Sequence, residues 1–503
     1  MKISKKLEMF LIVVIILIAS FFRIWHLGDV PNGLYPDEAI NGNSAIQALE
    51  SGDYKVFYVD NNGREGLYIN LVAGSFKMFG NSVWSLRLIS ALAGILGVLG
   101  LYLLTRELFN KETALISSFL MAVSFWHVLF SRIGFRAMIA PALLTFAFYF
   151  LWRGLKTANP WYFSLSGIVW GLGFYTYIAF RAAPLILIIM LLAYWHKIKK
   201  DFGKEKYLDL RNKMIRGFIL TMLFAFIVFL PLGYYFFQNP ADFLGRTSQI
   251  SIFSQDNPIV ELIKNLSKSL QMFNFVGDLN WRHNFSGSPQ LIWPIGITFL
   301  MGLVIIIKDL FKRIKDHGHL SVVPILLLSW FGSMILPAAF SSEGLPHALR
   351  VIIVAPVIYI FAGIGTLWLF RVLRKWYQAY DINPIHASRI VTTVLIVFLF
   401  SIGVAQFDKY FNSWGKNQNV LNAFSNNYVK IAEEIKNLPE NQLTYVVVEA
   451  GGALVDNIPM PAQTVMFLTD TSTEEKQKLK NIFYILPEDR ANIPYNAKVF
   501  VLE

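Results

Sequence analysis

The sequence predicts an all-α protein that crosses a membrane many times and carries a small α/β domain at its C-terminus. Three observations lead to this fold class. The 503 residues are 55% hydrophobic with a mean hydropathy of +0.48, which is more apolar surface than a soluble core can bury. Apolar stretches recur along the chain, most of them near the roughly 20 residues that a helix needs to cross a bilayer. Basic residues gather in alternate connections between these stretches.

Eleven transmembrane helices are predicted from the hydropathy. They are expected at residues 7–27, 82–104, 113–130, 137–152, 162–180, 183–196, 217–237, 290–307, 320–340, 350–370 and 390–407. The first resembles a secretory signal in its basic flank, but no small-residue cleavage site follows its long apolar core. We therefore expect an uncleaved membrane anchor.

The charges of the connecting segments predict the orientation of the spans. Lysines precede the first span, and every even-numbered span is followed by lysines or arginines, most densely over residues 197–216. Cytoplasmic loops carry this excess, so the N-terminus is predicted to be cytoplasmic and the C-terminus extracytoplasmic, in the plasma membrane of a prokaryote. The net charge of +12 then reflects cations beside anionic lipid rather than nucleic-acid binding.

Two domains follow from this topology. Residues 1–408 form the transmembrane domain, with long outer loops at 28–81 and 238–289 and a short one at 341–349. Residues 409–503 form the α/β domain, with helices at 422–437 and 473–481 and strands at 443–448, 464–468 and 499–502. This domain has no glycine-rich phosphate loop, which favours a lid or docking role. The absence of cysteine excludes disulfides and Cys-based metal sites.

The acidic pair Asp37-Glu38 lies just beyond the first span, at the predicted outer surface. A partly desolvated carboxylate within hydrogen-bond reach of a hydroxyl can act as a general base, which contributes roughly 10² to 10⁴-fold in rate. The same residues also suit a helix cap or an ion pair with Arg64. Residue type and position alone leave both readings open.

Arginines recur at the predicted outer ends of the spans, opposite to the positive-inside bias. They are Arg64, Arg87, Arg132, Arg136, Arg181 and Arg350. A cation at the centre of a membrane helix costs roughly 2.5 to 3.5 kcal/mol on insertion scales, so the recurrence needs a cause. An anionic head group is one, because guanidinium binds phosphate oxygens in bidentate fashion. Each arginine can instead extend towards water or pair with a loop carboxylate.

The order of the outer motifs resembles the integral-membrane glycosyltransferases of the GT-C type, from about residue 5 to residue 370. The likeness is to the dolichyl-phosphate-mannose protein mannosyltransferase-like family, glycosyltransferase family 39, and its aminoarabinose-transferase relatives. The motifs are Tyr35-Pro36-Asp37-Glu38-Ala39, Asn62-Gly63-Arg64-Glu65-Gly66-Leu67-Tyr68, Phe135-Arg136-Ala137, Tyr175-Thr176-Tyr177, Arg181, Asp278-Leu279-Asn280-Trp281-Arg282-His283 and Gly344-Leu345-Pro346-His347-Ala348-Leu349-Arg350.

This resemblance implies transfer of a hexose or pentose from a polyprenyl-phosphate carrier to an acceptor hydroxyl, with inversion at the anomeric carbon. It implies Asp37 as catalytic base and Glu38 as a residue that supports the site or contacts the acceptor. Arg136, Arg181 and Arg350 are the first choices for the lipid phosphate, followed by Arg64 and Arg132. The remaining substrate-binding candidates are Glu65, Tyr175, Tyr177, Arg282, His283 and His347.

Several alternatives remain open on the sequence. His283 and His347 suit phosphate, a metal or a structural hydrogen bond, and the aromatic residues equally suit a membrane interface. No metal site and no obligatory cofactor are predicted, although two adjacent acids can hold Mg²⁺ or Mn²⁺. The expected partners are the lipid-linked donor, the hydroxyl-bearing acceptor and membrane lipids. A transporter or flippase of lipid-linked saccharides and a non-catalytic scaffold are the competing functions.

Overall fold

The computed structural model describes residues 3–249, 251–318, 320–342, 344–379 and 383–503, and these are mostly helical. Its helices are α1 (Lys5–Ile24), α2 (Pro36–Ser51), α3 (Leu67–Phe79), α4 (Val83–Leu108), α5 (Lys111–Val123), α6 (Phe125–Ser131), α7 (Ile139–Thr157), α8 (Pro160–Gly173), α9 (Pro184–Asp201), α10 (Lys204–Gln238), α11 (Pro240–Gln249), α12 (Pro258–Gln271), α13 (Trp293–His317), α14 (Val322–Ala339), α15 (Ala355–Ala379), α16 (Pro384–Phe407), α17 (Gln418–Ala423), α18 (Asn426–Lys436), α19 (Ala462–Thr469) and α20 (Glu474–Lys480). The strands are β1 (Phe57–Tyr58), β2 (Arg64–Glu65), β3 (Thr444–Val448), β4 (Leu454–Val455), β5 (Ile458–Pro459), β6 (Ile482–Ile485) and β7 (Lys498–Leu502).

The bundle confirms the predicted multi-pass membrane fold class. Within the described ranges, nine helical segments are long and apolar enough to cross a bilayer, and the pair α5 and α6, bent by 60°, makes up to ten. The predicted fifth span, at 162–180, coincides with α8, which has only 14 residues. At 1.5 Å per residue it is about 21 Å long, shorter than the roughly 30 Å hydrocarbon core.

Close helix packing in the bundle depends on small residues. A Cβ atom added to Gly302 of α13 would lie 1.8 Å from the backbone oxygen of Phe361 in α15. One added to Gly365 of α15 would lie 1.9 Å from the backbone oxygen of Thr298. The two helices therefore touch through their backbones, as small residues permit in membranes where apolar burial does not drive association.

The C-terminal segment contains a three-stranded parallel sheet in the order β6-β3-β7. The predicted strand at 443–448 and the predicted helix at 473–481 correspond to β3 and α20. The strand predicted at 464–468 is wrong, because these residues lie in α19. Their buried side chains pack against α2 of the first outer loop, and this tertiary contact overrides the local preference of the sequence for a strand.

Hydrogen bonds attach α19 to the first outer loop. The Asn43 amide donates to the side-chain oxygen of Gln463 at 2.8 Å, and the Thr464 hydroxyl donates to the backbone oxygen of Leu34 at 2.9 Å. At the start of the C-terminal segment, α16 continues through a π-helical turn to Trp414, past the predicted domain boundary at 408. The C-terminal unit thus packs on the loop that carries the acidic pair.

Candidate active site

The acidic pair opens α2. Pro36 occupies the first turn of the helix, where its missing N–H is no loss, and the positive end of the helix dipole favours two acids there. Successive helical residues point about 100° apart, so the two carboxylates face different surroundings. Asp37 is partly exposed, whereas Glu38 is completely buried.

Glu38 is an internal anchor of the first loop. Its two oxygens accept hydrogen bonds from Nε and Nη2 of Arg87 at 2.9 and 3.1 Å, and the Gly134 backbone N–H donates to Oε2 at 2.6 Å. Arg87 also donates to the backbone oxygens of Pro31 and Gly33. With both carboxylate oxygens occupied and the side chain 0% exposed, Glu38 supports the site. The geometry gives no support to a direct contact between Glu38 and the acceptor.

Asp37 is held by a loop that the sequence reasoning missed. The side-chain amide of Asn61 donates to Oδ1 of Asp37 at 2.5 Å. Asn61 lies in the turn of the hairpin formed by β1 and β2, where Asn61, Asn62 and Gly63 all have positive φ angles. Asn-Gly is a strong hairpin signal, so the segment Asp60-Asn61-Asn62-Gly63 could have indicated this turn. The Tyr35 hydroxyl is a second hydrogen-bonding partner of Asp37, and the carboxylate stays partly exposed.

Arg64 lies inside the same hairpin and is not presented to a ligand. Its guanidinium donates to the side chains of Asn41 and Ser44, each at 3.0 Å, and it is 1% exposed. Burial lowers the pKa of Arg64 to about 10, and the nearby Arg136 adds to this shift. Asn41 and Ser44 are four and seven residues beyond Asp37, on one face of α2. Arg64 therefore stiffens the hairpin against α2.

Glu65 bridges two arginines. Its Oε2 accepts a hydrogen bond from Nε of Arg136 at 3.0 Å, and its Oε1 lies 3.9 Å from Nη2 of Arg181. The side chains of Arg136 and Arg181 are 12% and 22% exposed. Arg181 also stacks on the ring of Phe243 at 4.3 Å. Among the candidate arginines in this part of the chain, Arg136 and Arg181 are the two that remain accessible.

Arg132 has a structural role instead of the predicted phosphate contact. It is completely buried and donates hydrogen bonds to the backbone oxygens of Phe22, His26 and Val30. Its guanidinium also packs on the ring of Phe411 at 4.9 Å. The arginine therefore closes the turn after α1.

The predicted tyrosines are also structural. The Tyr175 hydroxyl donates to the backbone oxygen of Val228 at 2.9 Å and accepts from the backbone N–H of Leu232 at 3.2 Å. It is thus inserted between two groups of α10 that would otherwise bond each other, next to Pro231 inside the helix. Tyr177 is 9% exposed and packs in the main hydrophobic core. Their contact with a sugar stays a prediction.

Arg282 brings the loop between α12 and α13 to the acidic pair. Its guanidinium carbon lies 3.9 Å from the centre of the Tyr35 ring, two residues before Asp37. Burial raises the pKa of the Tyr35 hydroxyl, the charge of Asp37 adds to the shift, and Arg282 opposes it. Arg350, from the loop before α15, donates to the Ser341 hydroxyl and is partly exposed. Arg282 is thus the cation of the second long loop that lies next to Asp37.

Three potential metal ligands meet beside Arg282. The sequence shows no closely spaced ligand set, but the fold brings Asp278, His283 and His347 together with one ligand atom from each within 4.8 Å of the others. Asp278 and His283 are buried and His347 is partly buried. Two sequence motifs each carry one of the histidines, and only the folding of their loops makes His283 and His347 neighbours.

The arrangement combines a partly exposed carboxylate with several cations. Asp37 can accept a proton from a hydroxyl, and the partly exposed Arg136 and Arg181, joined through Glu65, can bind an anion. Such positioned cations stabilise negative charge that develops on a leaving group. The geometry therefore suits transfer of a group from an anionic carrier to a hydroxyl.

Residues 67–235 match a protein-family model described as dolichyl-phosphate-mannose-protein mannosyltransferase. Over 209 residues the chain is 26% identical to YkcB of Bacillus subtilis (strain 168), a provisionally assigned mannosyltransferase. That alignment covers 39% of this chain and 28% of YkcB. The resemblance predicted from the outer motifs is confirmed by these matches.

Solved structures show the same fold. The oligosaccharyltransferase AglB from Archaeoglobus fulgidus, in complex with an inhibitory peptide and a dolichol-phosphate, superposes with a TM-score of 0.57 at 14% identity. That match covers 93% of this chain and 64% of AglB. ArnT from Cupriavidus metallidurans, bound to undecaprenyl phosphate, superposes with a TM-score of 0.54 at 14% identity, over 91% of this chain and 84% of ArnT. These likenesses support the predicted GT-C fold class.

Proposed function

From this likeness and this site, we propose that the chain is an inverting glycosyltransferase that uses a polyprenyl-phosphate-linked sugar and an acceptor hydroxyl. Asp37 takes the proton of the hydroxyl, and the resulting oxygen attacks the anomeric carbon of the sugar. The bond between that carbon and the phosphate oxygen breaks, and polyprenyl phosphate leaves as an anion. The reaction takes place at the outer face of a prokaryotic plasma membrane.

The position of Asp37 carries the proposal. Its neighbour Glu38 is completely buried and saturated by Arg87 and Gly134, whereas Asp37 is partly exposed, with the Asn61 amide and the Tyr35 hydroxyl as its side-chain hydrogen-bonding partners. A general base needs a carboxylate that is positioned by the protein and accessible to the substrate. Of the two acids, only Asp37 combines these properties.

The leaving phosphate is assigned to the cations around Asp37. Arg136 and Arg181 are partly exposed and share Glu65, and Arg350 is partly exposed in the loop before α15. A phosphate has more negative charge and more acceptor oxygens than one carboxylate shared by two arginines. Arg64 and Arg132, buried among protein partners, are not part of this assignment.

The test is release of polyprenyl phosphate by the purified protein from a panel of polyprenyl-phosphate sugars, with a membrane extract as acceptor. We expect Asp37→Asn to lower the rate by about 10² to 10⁴-fold, because the amide cannot accept the proton. Asp29→Asn, at an exposed outer acid paired with His26, is the matched control and should keep the wild-type rate.

Two results would contradict the proposal. One is wild-type turnover in a folded Asp37→Asn protein, which would remove Asp37 as the base. The other is a folded wild-type protein that binds the carriers and never cleaves any of them, which would favour the transporter instead.

A further inference from the structure

A groove of about 610 Å³ lies in the bundle between α1, α5, α15 and α16. Its lining side chains come from residues 3–18, 112–119, 367–374 and 388–400 of these four helices. The polar residues of this lining are Glu112, Arg371, Arg374, Ser388 and Thr392, and the others are apolar. A largely apolar wall with a few polar groups is typical of a site for an amphipathic ligand.

The groove opens where α1 and α16 separate. Near the ends of the two helices, the rings of Phe21 and Phe22 have their centres 6.1 and 6.0 Å from that of Phe407. Towards the beginnings of the helices, side chains such as Leu11 and Leu395 line the groove instead. Apolar side chains beside an unfilled gap lose their dispersion partners, so an apolar chain between α1 and α16 is favourable.

The groove lies in the membrane half opposite to the candidate active site. On α1 its lining ends at Ile18, and the acidic pair follows beyond the far end of this helix at Ile24. On α15 its lining begins at Leu367, whereas Arg350 precedes the start of the helix. In the predicted orientation this half is the cytoplasmic leaflet, where anionic lipids are enriched and basic pockets between helices bind their head groups.

The charged end of the groove has more cations than anions. Arg371 and Arg374 lie near the end of α15, and Glu112 is the acid of the lining. Arg371 is exposed, and Nε of Arg374 is buried without a hydrogen-bond partner among the described residues. A buried donor without a partner is unfavourable, and a phosphate oxygen is a strong acceptor for guanidinium. The two arginines therefore favour an anionic head group over a zwitterionic one.

We propose that this groove binds one anionic phospholipid of the leaflet opposite to the candidate active site. Its acyl chains lie between α1 and α16, and its phosphate contacts Arg371 and Arg374, with the Ser388 hydroxyl of α16 as a further donor. The tail of the sugar carrier is the less suitable occupant, because it brings no anion to these two arginines. The lipid thus joins α15 to α16 and fills the gap beside α1.

The experiment measures lipid binding to the full-length protein by native mass spectrometry from detergent, with added phosphatidylglycerol and phosphatidylcholine. We expect one phosphatidylglycerol to bind in preference to phosphatidylcholine. The ratio of the two binding constants should fall about fivefold for each arginine removed, and so about 25-fold in Arg371→Gln with Arg374→Gln. Lys199→Gln with Lys200→Gln is the matched control, since it removes two exposed cations from the last turn of α9 and should keep the ratio.

A second measurement uses the wild-type protein and so does not depend on the folding of a variant. Phosphatidylglycerol with a photoreactive group in its acyl chain should label peptides of α1 and α16, and photoreactive polyprenyl phosphate should not label this groove. Equal binding of the two phospholipids by the wild type would overturn the proposal, as would an unchanged ratio in the folded double arginine variant. Labelling of the groove by polyprenyl phosphate in preference to phosphatidylglycerol would assign it to the carrier instead. None of these results depends on transferase activity.

Discussion

At the scale of single residues, two adjacent acids with the same side-chain chemistry have different roles because of what surrounds them. Glu38 is enclosed and shares two hydrogen bonds with Arg87, whereas Asp37 accepts one from Asn61 at the edge of the site. A buried ion pair contributes little net stability, but removing one partner leaves an uncompensated charge. The pair Glu38 and Arg87 is therefore expected to be sensitive to single substitutions.

We predict that Arg87→Met lowers the free energy of unfolding by about 3 to 5 kcal/mol, because Glu38 then remains buried without its cation. The double variant Arg87→Met with Glu38→Gln should recover part of the loss, since the buried charge is removed as well. Thermal unfolding in detergent, followed by size-exclusion chromatography, is the measurement. Arg490→Met, at an exposed arginine 3.6 Å from Glu449, should change stability by less than about 1 kcal/mol. If Arg87→Met and Arg490→Met lower the free energy of unfolding equally, the assignment of Glu38 and Arg87 as a buried ion pair is contradicted.

The sequence predicts where individual residues lie better than it predicts which residues they contact. The exposed position of Asp37 near the mouth follows from the first span and the Pro-Asp-Glu motif, which are local features. The partner of Glu38 is 49 positions away, and the contact of Arg132 with the turn after α1 spans more than 100 positions. Nothing local in the sequence distinguishes an arginine held by backbone oxygens from one that faces a ligand.

At the scale of elements, α10 shows how one hydroxyl can support a helix next to a proline. The helix contains Pro231, beside which the Tyr175 hydroxyl joins Val228 and Leu232. A residue two positions after the short α8 thus becomes part of the hydrogen bonding of α10. Hydropathy predicted a span over 162–180 because it measures apolar character along the chain and carries no information on this side-chain insertion.

We predict that Tyr175→Phe lowers the free energy of unfolding by about 1 to 3 kcal/mol, because a buried backbone N–H and C=O lose their partner. Tyr234→Phe, on the same helix α10 and 60% exposed, is the control and should have an effect within about 0.5 kcal/mol. Both are measured by thermal unfolding in the same detergent. A Tyr175→Phe protein as stable as the control would mean that α10 closes its own hydrogen bond when the hydroxyl is absent.

At the scale of the whole molecule, the C-terminal unit is packed against the loop that carries Asp37. Gly42 of α2 is a point of close approach, since an added Cβ would lie 2.5 Å from the Phe467 ring of α19. A salt bridge of 2.6 Å between Lys476 and Glu50 is a further contact between the same two parts. The predicted lid or docking role stays a prediction, and these contacts give it a definite surface.

We predict that Gly42→Ala displaces α19 from α2, because the rigid Phe467 ring has to move. Cleavage by a protease within residues 415–425, which connect α16 and its π-helical turn to the rest of the C-terminal unit, should then be faster than in the wild type. Gly74→Ala is the matched control, since an added Cβ on this glycine of α3 meets no atom within 4 Å and alanine favours the helix. Unchanged proteolysis of the Gly42→Ala protein would show that the ring accommodates the methyl group.

The bridge from Glu65 to Arg136 and Arg181 has a consequence for turnover. If the two arginines receive the carrier phosphate, the arriving anion displaces a carboxylate that belongs to the protein, so the affinity reflects an exchange of one anion for another. When polyprenyl phosphate departs, Glu65 takes its place again and the arginines are never left uncompensated. An internal competitor of this kind weakens product retention, and so favours repeated cycles over tight capture of a spent carrier.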